Sequence, residues 1–275
     1  MQLCGARRLY TIPLTANGIG LETDGYTMDS KPTLLMVPCF AGAPWKLVDQ
    51  LARLQGWPMR NMRLPEYLDD LEKLADFVLA QARDLDRYVL VGDSFGAVVS
   101  IAAAVRQPKG RMGLVLSGGF ARNPITSLVL KALAALAPFF PGPFYRQLTL
   151  RMHANNLKSR FDGEGEIPWS AEKRRHFFVQ ETPHRAYLNW VHAVSRANYA
   201  ARLSKISVPT LILTPEDDRL IGKNAAGILL GGIRRSHELV LPRTGHMFRF
   251  SHPGRYSEAV STFLTSAIPT VGEPL

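Results

Sequence analysis

The chain has 275 residues, of which 46% are hydrophobic, and it carries a formal net charge of +10. This length suits one large domain with an insertion, or two domains. No run of about 18 or more uncharged apolar residues is present, and the N-terminus has no apolar secretory region, so we expect neither a membrane-spanning helix nor a signal peptide. Two cysteines, Cys4 and Cys39, are too few for a disulfide framework and favour a cytoplasmic location.

The order of the predicted elements indicates an α/β fold. Residues 8–28 have the pattern of a β-hairpin around the turn Asn17-Gly18. Further apolar runs predict strands at 33–37, 59–64, 88–91, 112–116, 210–214 and 238–241. Helical patterns cover 45–54, 67–82, 97–105 and 256–267. Strands that alternate with helices predict a mostly parallel, eight-stranded sheet with helices on both faces.

The segment 120–205 has a different pattern from the rest of the chain. Its helical stretches, such as 127–137 and 171–180, are broken by prolines, and residues 162–166 (Asp-Gly-Glu-Gly-Glu) predict a flexible loop. No strand pattern is found there. We therefore predict a core formed by residues 1–119 and 206–275, with residues 120–205 inserted as a helical cap, or lid.

The most informative motif is Gly92-Asp93-Ser94-Phe95-Gly96, which lies between a strand pattern and a helix pattern. In that context Gly-x-Ser-x-Gly is typical of a nucleophile elbow, a tight turn that exposes the serine hydroxyl. The two glycines leave room for strained backbone, and the turn directs the Phe95 N–H towards a developing oxyanion.

A serine hydroxyl needs a base and an orienting carboxylate before it can act as a nucleophile at neutral pH. His246 follows the strand predicted at 238–241, and Asp217 and Asp218 follow the strand at 210–214. The order Ser94, Asp218, His246 is the serine, acid, histidine order known for nucleophile elbows on this kind of sheet. Asp217 is the alternative acid.

These motifs resemble the α/β-hydrolase superfamily, with coverage from about residue 8 to residue 267 outside the cap. The resemblance rests on the elbow, on the strand and loop at 209–221, and on Gly245-His246-Met247. It implies Asp218 as the triad acid and the Phe40 N–H as second oxyanion donor, although Pro38-Cys39-Phe40 stands where the family often has His-Gly-apolar. Cys39 lacks an associated histidine and is interpreted as a buried structural cysteine rather than a nucleophile.

We therefore predict a serine hydrolase that cleaves a carboxylic ester through an acyl-enzyme, without a metal or an organic cofactor. The alternatives are a thioesterase or methyl-ester esterase, a carbon–carbon bond hydrolase or lactonase, and a non-catalytic receptor; the last is disfavoured because all three triad residues are present. The side chains predicted to line the substrate pocket are Cys39, Phe120, Leu133, Phe139, Phe140 and Met247.

The positive charge is concentrated in the predicted cap, where 13 Lys and Arg residues face only 5 Asp and Glu residues. No nucleic-acid recognition motif accompanies this charge. One interpretation is a solvated surface; the other is a field that attracts an anionic substrate or an acidic acyl carrier protein. Type II thioesterases and carrier-protein esterases are similar in layout and charge. The basic residues proposed to meet such a partner are Lys158, Arg160, Lys173, Arg174, Arg175 and Arg185.

Overall fold

The computed structural model describes residues 31–40, 52–124, 143–167, 170–182, 184–222 and 224–268, and four single positions between 128 and 139. In these residues six strands form one sheet. In chain order they are β1 (Thr33–Val37), β2 (Met59–Asn61), β3 (Tyr88–Asp93), β4 (Arg111–Ser117), β5 (Thr210–Asp217) and β6 (Ser236–Gly245). Their spatial order is β2-β1-β3-β4-β5-β6, and every neighbouring pair is parallel. The other two predicted strands belong to the hairpin at 8–28, which lies outside the described residues.

The central strands are largely apolar, as expected for a parallel sheet that is covered on both faces. In β3 all six residues are buried. Leu90 packs into the cluster on one face, whereas Val89 and Val91 pack into the cluster on the other. The same alternation holds for Leu35 and Leu34 of β1.

Eight α-helices are described. They are α1 (Leu71–Ala80), α2 (Phe95–Ala104), α3 (Pro143–Asn156), α4 (Ala171–Glu181), α5 (His184–Ser195), α6 (Asn224–Gly232), α7 (Phe248–Ser251) and α8 (Pro253–Ala267). Buried residues of α1, α2 and α6 pack on one face of the sheet, and those of α8 pack on the opposite face. The predicted α/β fold with helices on both faces is thus confirmed. The described part has no helix with the length and apolarity needed to cross a bilayer.

Between β4 and β5 the described residues form α3, α4, α5 and a short 3₁₀ helix, Ala200–Lys205. The two ends of this helical segment lie side by side. Arg122 and Asn198 form an antiparallel bridge, and the N–H of Tyr199 donates to the carbonyl of Ala121 at 2.6 Å. Because its two ends are adjacent, the helical segment can be inserted between β4 and β5 without interrupting the sheet.

Residues 162–166, predicted as a flexible loop from their composition, are held against the core by hydrogen bonds. The Glu166 carboxylate accepts from the N–H groups of Gly254 and Arg255, at 2.6 and 3.0 Å, in the first turn of α8. The Ile167 N–H donates to the carbonyl of Ser251 at 3.2 Å. The sequence pattern did not indicate these contacts because the partners lie almost 90 residues further along the chain.

Candidate active site

Ser94 occupies a sharp turn between β3 and α2. Its backbone angles are φ 53° and ψ −109°, a left-handed conformation that is strained for a side chain other than glycine. The flanking glycines are required by close approach: a Cβ on Gly92 would overlap the backbone of α2, and one on Gly96 would overlap the carbonyl oxygens of Val37 and Pro38. The elbow is therefore packed directly against the end of β1.

The structure brings Ser94, His246 and Asp218 together in one chain of hydrogen bonds. The Nε2 atom of His246 lies 2.8 Å from Ser94 Oγ, and its Nδ1 atom lies 2.7 Å from Asp218 Oδ2. The other carboxylate oxygen of Asp218 accepts from the N–H groups of Leu220 and Ile221 at 3.0 and 2.9 Å. The carboxylate is thus fixed on both sides, and the imidazole is oriented with Nε2 towards the serine.

Electrostatics in the triad favour an ionised acid and a basic histidine. Burial lowers the pKa of His246, but the charge of Asp218 and its hydrogen bond outweigh burial and raise that pKa above its ordinary value. Burial opposes ionisation of Asp218, yet the facing imidazole and the two backbone N–H groups hold the pKa of this carboxyl below its usual range. His246 is therefore placed to accept a proton and to be stabilised once it carries one.

Asp217, the alternative acid, faces a different part of the molecule. Its Oδ2 atom accepts from Ser159 Oγ at 3.0 Å and from the N–H of Arg160 at 2.6 Å. The neighbouring Glu216 pairs with the side chain of Arg160. Asp217 therefore holds the chain that follows α3, while Asp218 contacts the histidine.

The two residues predicted to supply oxyanion donors, Phe95 and Phe40, belong to chain segments that lie near Ser94. Phe95 is the first residue of α2, and the first N–H groups of a helix have no acceptor inside the helix. Phe40 lies in the turn after β1, and its ring stacks on that of Phe95 with the centroids 4.7 Å apart. Phe95 in turn stacks on Trp190 of α5 at 5.1 Å. These stacked rings hold the two backbone segments beside the serine.

A small cavity of about 20 Å³ lies in front of the serine. It is lined by Cys39, Phe40, Asp93, Ser94, His153, Leu157, His246, Met247 and Phe250. Two of the predicted pocket residues, Cys39 and Met247, are in this lining. Leu133 and Phe140 lie outside the described residues.

The other two predicted pocket residues lie elsewhere among the described residues. Phe120 follows the end of β4, but its side chain is buried in the hydrophobic core instead of lining the cavity. Phe139 is 75% exposed and does not line the cavity either. An apolar residue close in sequence to the site can thus pack into the core or face solvent.

The sequence did not predict four of the lining residues. Asp93 ends β3, His153 lies in the last turn of α3, Leu157 directly follows α3, and Phe250 lies on α7, four residues after His246. Burial, with the charge of nearby His246, lowers the pKa of His153 to about 3, so this imidazole is neutral at ordinary pH. For His153 and Leu157 the available signal was their spacing of four, because residues four apart lie on one side of a helical stretch.

In this parallel sheet a turn that carries a serine lies between a strand and a helix, and an acid and a histidine follow later strands. This arrangement defines an α/β-hydrolase. Residues 55–245 match the family model described as serine aminopeptidase, S33, and the chain belongs to that family of hydrolases.

Proteins similar to this chain carry the names of different kinds of hydrolase. The chain is 24% identical over 221 residues to a proline iminopeptidase of Saccharolobus solfataricus, covering 72% of this chain and 67% of the relative. It is 28% identical over 190 residues to a 2-hydroxymuconate semialdehyde hydrolase of a Pseudomonas species, covering 68% and 65%. A thermophilic esterase of Thermogutta terrifontis, solved with malate bound, shares the fold with a TM-score of 0.74 at 19% identity, covering 88% of this chain and 92% of the esterase.

Proposed function

We propose that this protein is a serine hydrolase that cleaves a carboxylic ester by way of an acyl-enzyme. The observation that carries the proposal is the continuous hydrogen-bonded path from Ser94 Oγ through His246 to Asp218, with both distances below 3 Å. These contacts are within the reach required for proton transfer between a nucleophile and its base.

The proposed reaction begins with attack of Ser94 Oγ on the acyl carbonyl carbon while His246 Nε2 removes the hydroxyl proton. Asp218 fixes the imidazole with its proton on Nδ1 and stabilises the imidazolium that forms. The N–H groups of Phe95 and Phe40 stabilise the tetrahedral oxyanion. His246 then protonates the leaving alkoxide, and a water molecule, activated in the same way, hydrolyses the acyl-enzyme.

The cavity supports a small acyl group without a charge. Its volume of about 20 Å³ holds about one water molecule, which leaves no room for a long acyl chain unless lining side chains move. The lining is largely apolar, and His153, its polar side chain from α3, is neutral because of burial. A short aliphatic or aromatic acyl group fits this chemistry better than a carboxylate-bearing one.

A second candidate is a thioesterase or methyl-ester esterase that acts on acyl groups held by an acidic carrier or by coenzyme A. Exposed Lys158, Lys173 and Arg185 on the helical segment favour it, because they offer positive charge to an anionic partner. Arg160 contributes less, since Glu216 neutralises it.

The test is hydrolysis by the purified protein and by Ser94→Ala, measured with p-nitrophenyl esters of two to sixteen carbons and with acyl-CoA and acyl-carrier thioesters, at low and high salt. We expect turnover of short esters that is insensitive to salt and absent in Ser94→Ala. Fast, salt-sensitive cleavage of carrier thioesters would favour the second candidate. Turnover by Ser94→Ala at the wild-type rate would refute both candidate functions. Cleavage of peptides or carbon–carbon bonds, without cleavage of esters, would show that the substrate is not an ester.

A further inference from the structure

A buried ion pair lies beside the proposed nucleophile. Asp93 is the last residue of β3, and Arg249 lies in α7. The Nε atom of Arg249 donates to Asp93 Oδ2 at 2.9 Å, and the two side chains are 5% and 6% exposed. Full charges are seldom buried this deeply unless they are paired, because water no longer solvates them.

The pair connects the two short chain segments that carry Ser94 and His246, and the reaction requires these segments to keep their relative positions. Asp93 directly precedes Ser94, and Arg249 follows His246 by three residues. The Ser94 and His246 side chains meet at 2.8 Å, so a small shift of either stretch would lengthen that contact. Removing water from two charges costs free energy that an apolar pair of the same size would not cost, so stability alone does not account for this choice of residues.

The arginine also supports the wall of the cavity. Its guanidinium lies over the ring of Phe250, 3.9 Å from the centroid. Phe250 lines the cavity and packs on Phe177 of α4 with the ring centroids 5.3 Å apart. The ion pair therefore contacts the nucleophile turn on one side and a pocket side chain on the other.

The charge of Asp93 has a direct effect on the triad. It adds to Asp218 in raising the pKa of His246. A lone carboxylate at this position would also repel the negative charge of the tetrahedral intermediate, and the Arg249 guanidinium offsets that repulsion. Two further titratable groups of the described chain interact with these residues: His153 of α3, whose pKa responds to His246, and Tyr256 of α8, whose pKa responds to both members of the pair.

We propose that the Asp93–Arg249 ion pair is a positioning device for the proposed reaction: it ties the Ser94 turn to the His246 loop and keeps the net charge beside the forming oxyanion at zero. Neither residue touches the reacting atoms in this role. The inference rests on the proposed function, since it assigns the pair to the serine and histidine of that reaction.

The experiment measures the rate at which a fluorophosphonate probe labels Ser94, as a function of pH, in the wild type and in four variants. The variants are Asp93→Asn, Arg249→Gln, the double variant and Arg249→Lys. Arg60→Gln, which breaks a solvent-exposed pair between the edge strand β2 and Asp84, is the control. Labelling is independent of which bond the enzyme cleaves in its natural substrate.

We expect the midpoint of the labelling curve to fall by about half a pH unit or more in Asp93→Asn and to rise by a similar amount in Arg249→Gln. The double variant restores a midpoint near that of the wild type, and both single variants lose about tenfold or more in maximal rate. Arg249→Lys keeps the charge but not the guanidinium geometry, so its midpoint is unchanged and its rate is reduced.

Unchanged midpoints and maximal rates in both single variants would overturn the inference and leave the pair with a packing role only. If the neutral variants do not fold, Arg249→Lys and Asp93→Glu decide, because a wild-type maximal rate in both contradicts a positioning role. A wild type that is not labelled at all would instead refute the proposed function.

Discussion

Replacing Asp218 by asparagine keeps the shape of the side chain but removes its charge and one of its two acceptor oxygens. In the wild type one oxygen accepts from His246 Nδ1 and the other from the N–H groups of Leu220 and Ile221. The single oxygen of an asparagine satisfies the two backbone donors, which leaves its NH₂ group facing Nδ1. That arrangement drives the imidazole proton to Nε2, the atom that must accept the proton of Ser94.

We therefore expect Asp218→Asn to lose about 10³ to 10⁴ in the rate of ester hydrolysis, the range for a catalytic histidine held in the wrong tautomer. Asp217→Asn is the matched control, because the adjacent residue undergoes the same chemical change. Its side chain still accepts from Ser159 and Arg160, so its rate falls by less than about tenfold.

The assay is hydrolysis of a short p-nitrophenyl ester, with circular dichroism to establish that both variants fold. A larger loss in Asp217→Asn than in Asp218→Asn would refute this assignment of the acid. Equal losses would show that the charge of the whole loop matters instead of one hydrogen bond.

Two further predictions concern pH and backbone packing. His246 must be neutral to act as the base, and its pKa is raised, so activity is lost as pH falls through a midpoint above about 6.5, the pKa of free histidine. His153 has a pKa of about 3 and therefore does not affect the pH–rate profile above pH 5. Gly96→Ala lowers the free energy of unfolding by about 2–4 kcal/mol, because the added Cβ would overlap the end of β1. Gly227→Ala in α6 raises the free energy of unfolding by about 0.5–1 kcal/mol, because the space around Gly227 is open and alanine favours a helix. Urea unfolding measures both changes. A midpoint below 6 or equal effects of the two alanines would contradict the respective argument.

The sheet and the triad geometry could be anticipated because their signals are local. Continuous apolar runs mark strands buried on both faces, and the spacing around Ser94 specifies a turn whose geometry depends on adjacent residues. Asp218 and His246 also follow the carboxyl ends of β5 and β6, so both lie at the same end of the parallel strands. These features depend on short stretches of chain and not on the details of packing.

The pocket wall was less predictable because it is built from distant segments. Asp93 and Arg249 are 156 residues apart, and no motif links them. His153 and Leu157 lie at and just after the end of α3, and the chain that follows contacts the core through Ser159 and Glu166. Phe120 was predicted as a pocket residue because it closely follows β4, but its side chain packs in the core and is not among those that line this cavity.

The adjacent ends of the helical segment have a consequence for protein engineering. Because Ala121 and Tyr199 are hydrogen-bonded to each other, a short linker between these positions could replace the intervening residues without stretching the core. Such a shortened chain would lose Leu157 and His153 from the cavity and would leave Asp217 without Ser159 and Arg160. The same junction is also a point at which the corresponding segment of another hydrolase could be exchanged to alter substrate selectivity.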